Sequence, residues 1–142
     1  MIYIGIFIFV SLTIASLLHV AWAFGIVWPA KDEQALIRTV IGHPDVKKMP
    51  GTILTLAVAA GIAIAGLSGL WGGDILMLPL SEWMEDIVLF CLAGVFGLRG
   101  LSSYLMEGPL GKRIEPFATL DRRFFAPLCL VLSAGFVILG FG

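Results

Sequence analysis

Apolar positions in this chain come in long unbroken blocks, without the short period of an amphipathic helix or a half-buried strand. Four blocks are long enough to cross a hydrocarbon layer as helices: Ile2 to Trp28, Thr52 to Trp71, Ile87 to Met106 and Phe124 to Phe141. About 20 residues rising roughly 1.5 Å each suffice for that crossing. The pattern predicts an all-α membrane protein, an antiparallel four-helix transmembrane bundle forming a single domain over residues 1–142. The first block lacks a basic leading segment and is too long for the apolar part of a cleavable signal, so it reads as a permanent span.

The connections add smaller elements. Between Ala30 and Pro50, the residues Ala35, Leu36, Ile37, Val40 and Ile41 beside Arg38 suit a short interfacial helix lying on the membrane surface, broken before Pro44. Ser81 is placed to cap an early start of the third span, and Thr119 and Asp121 to cap the fourth. In the second span Ala57, Gly61, Ala65 and Gly69 recur every fourth residue, and the third span holds Ala93, Gly94, Gly97 and Gly100. Small side chains let helices approach closely, so these are expected seams, and the first stripe is also a candidate contact between copies of the chain. The two halves share a loose layout, as a duplication would leave: a span with one polar residue near its end, a basic connection, then a cleaner span.

Composition and charge sharpen this picture. A chain that is 59% hydrophobic, with a mean hydropathy of +1.02, cannot bury that much apolar surface in a water-soluble core of its size. Of its nine Lys and Arg residues, four lie in the first connection, four in the third, and one is Arg99. The second connection has none and carries Asp74, Glu82, Glu85 and Asp86. Basic loops stay on the cytoplasmic side, so the expected orientation puts connections one and three inside and both termini outside. Trp22 and Trp28 then sit at headgroup depth, where Trp commonly anchors a span.

Few residues within the spans can carry chemistry. A guanidinium in the bilayer is costly, about 2.5–3.5 kcal/mol at the centre, so Arg99 must either snorkel to the headgroups or turn inward to a partner. His19 lies in the same half of the membrane, with Ser16 and Trp22 on its helix face. Asp121 is positioned to bridge to Arg99 or Arg122, and Arg122 and Arg123 would form an electropositive funnel if Arg99 points inward beneath them. Only two His residues exist, and His43 is in a loop, so a metal set or a two-His haem site within one chain has no support, although a dimer would supply two copies of His19. Cys91 and Cys129 fall at different depths and are expected as unpaired thiols. The basic loops are accounted for by topology, which leaves nothing to indicate nucleic acid.

The residues His19, Trp22 and Arg99, with the run from Leu120 to Cys129 that contains Asp121, Arg122, Pro127 and Leu128, carry a resemblance. The chain is similar to a bacterial family of small four-span membrane proteins, a domain of unknown function, over nearly its whole length. Members show a His-x-x-Trp in the first span, an Arg late in the third and an Asp-x-Arg stretch leading into Pro-Leu-Cys. This chain has Phe125 and Ala126 where the family usually has Tyr-Ser. The likeness implies the fold, a bacterial cytoplasmic membrane and a polar cluster, but no reaction.

The functional expectation is a ligand-binding pocket near the cytoplasmic leaflet, lined by His19, Trp22, Arg99, Asp121 and Arg122, for the head of an anionic lipid-like or quinone-like molecule. Three alternatives stand beside it: a small oligomeric transporter or channel, a membrane enzyme using His19 as acid or base, and an accessory subunit of a larger complex.

Overall fold

The structure, a computed structural model, describes residues 1–105 and 113–142. Met106, expected to close the third span, and Lys112 in the third connection lie outside the described residues. Among the described residues there is no strand, and five helices run in the order α1 (Ile2–Ala23), α2 (Glu33–Val40), α3 (Thr52–Gly72), α4 (Glu82–Leu105) and α5 (Phe117–Gly140). The helices α1, α3, α4 and α5 are long and apolar enough to span a membrane, so the chain is a multi-pass membrane protein.

The span boundaries differ from the apolar blocks wherever local chemistry outweighs hydropathy. The first helix stops at Ala23, not at Trp28, because Gly25 takes a left-handed conformation (φ 82°). The Ile26 N–H then turns back to the Ala21 carbonyl. The helix α4 starts at Glu82, directly after Ser81, whose carbonyl receives the Met84 and Glu85 N–H groups. The helix α5 starts at Phe117, well before Phe124, since Arg122 and Arg123 interrupt hydropathy without interrupting the backbone. Its first turn is capped by the Glu115 carboxylate, which accepts from the Thr119 N–H at 3.2 Å. Thr119 and Asp121 are therefore inside the helix and are not its caps.

The short helix in the first connection forms as expected. Asp32 caps it by accepting from the Ala35 N–H at 2.8 Å, and left-handed Gly42 (φ 62°) ends it by returning its N–H to the Ile37 carbonyl. Its apolar face, however, turns to protein and not to lipid: Leu36 and Ile37 are each only 1% exposed. Gly42 packs on Phe117 and its carbonyl accepts from the Ile114 N–H at 2.8 Å, so the two basic connections are stitched together. The rest of the connection folds back over α2, with Gln34 donating to the Lys47 carbonyl and Glu33 accepting from the Met49 N–H.

The spans associate as two close antiparallel pairs, α1 with α3 and α4 with α5, which meet more loosely. Each pair is locked by a serine donating to a carbonyl across the seam: Ser16 to Ala59 at 2.8 Å, and Ser133 to Ala93 at 2.7 Å. Between the pairs, Ile8, Leu89 and Phe136 are fully buried in an apolar core. This core fills the half of the bundle nearer the acidic second connection.

The expected small-residue stripe of α3 does not act as one seam. Gly69 faces α1, where a Cβ would come within 2.6 Å of the Ile8 side chain, and Ala65 is buried in the apolar core. Gly61 has nothing within 4 Å of where its Cβ would be, and Ala57 is exposed. The reason is helical drift: a step of four residues overshoots a full turn by about 40°, so positions twelve apart differ by about 120°. On α4, Gly97 and Gly100 do face α5, at Ser133 and Leu130, while Gly94 stands open.

This arrangement predicts that Gly69→Val destabilises the protein by about 1–3 kcal/mol through overpacking, while Gly61→Val leaves it within about 0.5 kcal/mol. Denaturant unfolding in mild-detergent micelles, followed by circular dichroism, measures both.

Candidate functional site

Arg99 turns inward. It sits on the face of α4 that meets α5, and Ser103, four residues later, occupies the same face. Arg99 Nη2 donates to Asp121 Oδ1 at 2.7 Å, and Nη1 donates to Ser103 Oγ at 2.9 Å. Ser103 Oγ in turn donates to Asp121 Oδ2 at 2.5 Å, closing a ring of three hydrogen bonds. Arg113, arriving from the third connection, donates to the same Oδ2, and its guanidinium lies 5.7 Å from the centre of the Phe117 ring.

Asp121 is 0% exposed, whereas the Arg99 side chain keeps 40% of its surface. The carboxylate is thus the buried centre and the guanidiniums its shell. Two cations against one anion leave the cluster with a net charge of about +1, counting formal charges.

A local irregularity of α5 places this carboxylate. Asp121–Phe125 is a π-helical turn, in which the Ala126 N–H reaches back five residues to the Asp121 carbonyl. At the same spacing the Arg122 carbonyl would need an N–H from Pro127, which has none. Tyr104, one residue after Ser103, fills the gap by donating its hydroxyl to the Arg122 carbonyl at 2.9 Å.

Beside the cluster, between the two helix pairs, lies a cavity of about 620 Å³. Leu12 and Leu132 of the apolar core form its floor, and Val40, Ile41, Met49 and Pro50 of the folded first connection cover it. Its walls are mostly apolar, with His19, Trp22, Thr55 and Arg99 as the main polar exceptions. The Thr55 hydroxyl is turned to the Gly51 carbonyl, 3.1 Å away. His19 Nδ1 lies 2.8 Å from the Ala15 carbonyl, and its ring sits 4.9 Å from that of Trp22. Trp22 donates its indole N–H to the Trp28 carbonyl and so also holds the turn after α1.

The sequence-derived set therefore divides. His19, Trp22 and Arg99 share the cavity wall; Asp121 stands behind Arg99 with no exposed surface; Arg122 is on the outer side of α5 and is not on the wall. The expected funnel of Arg99, Arg122 and Arg123 does not form, because successive helical residues point about 100° apart and only Asp121 of that run faces inward. Arg113 takes the place assigned to Arg122, and Ser103 is a member that sequence reasoning passed over. Ser103 was recoverable from its spacing to Arg99; Arg113, in a connection rich in Gly and Pro, gave no such signal. The thiols are unpaired, Cys91 exposed on the outside of the bundle and Cys129 on the cavity wall.

Fold and site together define a four-span helical membrane protein with an inward ion cluster between its last two spans. Residues 12–136 match the family described as protein of unknown function DUF3995, and the chain belongs to that family. No curated protein and no solved structure matches it.

Removing the buried charge leaves Arg99 without its counter-ion, so Asp121→Asn is expected to cost about 3–5 kcal/mol. Tyr104→Phe strips the Arg122 carbonyl of a donor and is expected to cost about 1–2 kcal/mol. Arg123→Gln, which touches neither feature, is the near-neutral control. Thermal unfolding of the detergent-solubilised variants ranks the three.

Proposed function

We propose that the protein binds an amphiphilic small molecule, lipid-like or quinone-like, with its apolar body in the cavity and its polar head against Arg99. The observation that carries this reading is that Arg99, its guanidinium already anchored by a buried carboxylate, forms part of the wall of a mostly apolar cavity. Such a wall costs free energy to maintain, and a pocket of mostly apolar lining with a few placed polar groups is the common design of small-molecule sites. Basic residues gathered at this end support a cytoplasmic-leaflet location for the head, in the cytoplasmic membrane of a bacterium. Asp121 acts here as a positioning residue: it fixes the rotamer of Arg99 so that the free edge of the guanidinium is held ready.

Native mass spectrometry of the gently extracted protein tests this. The expected result is a retained small molecule that is diminished in Arg99→Gln and lost in Ala15→Phe, which fills the cavity from α1 without touching the ion cluster. A ligand-free protein that travels only with another polypeptide contradicts it and favours an accessory-subunit role.

A further inference from the structure

We propose that the head of this molecule is a hydroxylated aromatic ring, a phenol or quinol, whose O–H is donated to His19 Nε2 while a ring oxygen accepts from Arg99. The inference rests on the binding role given above and names its ligand class. A backbone carbonyl can only accept, so the contact between His19 Nδ1 and the Ala15 carbonyl places the ring hydrogen on Nδ1. In the neutral imidazole, Nε2 then keeps its lone pair, and no described residue donates to it. His19 is on the cavity wall and its Nδ1 side is turned to its own helix, so Nε2, on the far side of the ring, is the acceptor left for a ligand beside the Arg99 donors.

That pair of opposite polarities selects among heads. A carboxylate or a fully ionised phosphate satisfies Arg99 but presents only acceptors to the lone pair of His19, and Arg99 meets it with part of its charge already answered by Asp121. A ring hydroxyl donates to one side and accepts from the other. The walls suit a flat ring too: Trp22, Phe96, Phe117 and Phe125 all face the cavity, with the last two 6.1 Å apart. At about 620 Å³, the space is in the usual range for one small molecule.

The test uses the full chain carrying Cys91→Ala in phosphatidylcholine nanodiscs, so that Cys129 on the cavity wall is its one thiol. Protection of Cys129 from N-ethylmaleimide is measured with 4-octylphenol, with 4-octylanisole, whose O–H is replaced by O–CH₃, and with octyl phosphate; probe retention is read in parallel by native mass spectrometry. The phenol is expected to act at about fivefold to tenfold lower concentration than the anisole, the worth of one hydrogen bond. That preference should disappear in His19→Phe and persist in His19→Gln, whose amide oxygen still accepts. Equal action of phenol and anisole, or an undiminished preference in His19→Phe, overturns the assignment. Octyl phosphate acting best, with sensitivity to Arg99→Gln, overturns the ring while leaving the binding role intact. No retention and no protection by any of the three overturns both.

Discussion

A carboxylate with no exposed surface, inside a protein that lives in lipid, has to be met by positive charge or given up. Asp121 is met twice, by Arg99 from α4 and by Arg113 from the connection before α5, with Ser103 filling the space between. Ion pairs of this kind are a poor source of net stability, since desolvation offsets much of their attraction. Their effect is specificity: only one register of α4 against α5 lets all four side chains meet. The seam glycines Gly97 and Gly100 bring the two backbones close enough for that register, and the bond from Ser133 to Ala93 holds it one layer deeper.

The same cluster shapes the space beside it. Because Arg99 is tied on one edge, the rest of its guanidinium is held at the cavity instead of reaching for headgroups. Because Arg113 is tied to Asp121 and Ile114 to Gly42, the ion cluster is braced against the first connection, whose Val40, Ile41, Met49 and Pro50 cover the cavity. The apolar core fills the acidic half of the bundle and leaves the basic half hollow, so the space, the donor and the His19 ring all fall at one depth. The tightest packing and the polar chemistry are thus segregated along the membrane normal.

Most of the fold was legible because hydropathy in long blocks has few alternative readings, whereas the cost of a charge in hydrocarbon left Arg99 either to snorkel or to turn inward, and the structure shows the second. Boundaries were less legible. Gly25 ended α1 early and the backbone of α5 ran through Arg122 and Arg123, neither of which an apolar window registers. At the site, His19, Trp22 and Arg99 could be placed together by depth alone. Choosing between Arg113 and Arg122 as the partner of Asp121 could not be done that way, since it depends on a π-helical turn and on how a loop folds back. The stripe from Ala57 to Gly69 misled because a four-residue repeat is not quite a helical turn.

The most direct measurement is the coupling free energy between Arg99 and Asp121 from a double-mutant cycle of Arg99→Met and Asp121→Asn, read by equilibrium unfolding in micelles. An inward ion cluster predicts that each single variant strands a partner and that the double variant is more stable than the sum of their losses, by at least about 1 kcal/mol. Strictly additive losses would mean that the two side chains do not meet within the bundle, and the cavity would then have no fixed polar wall.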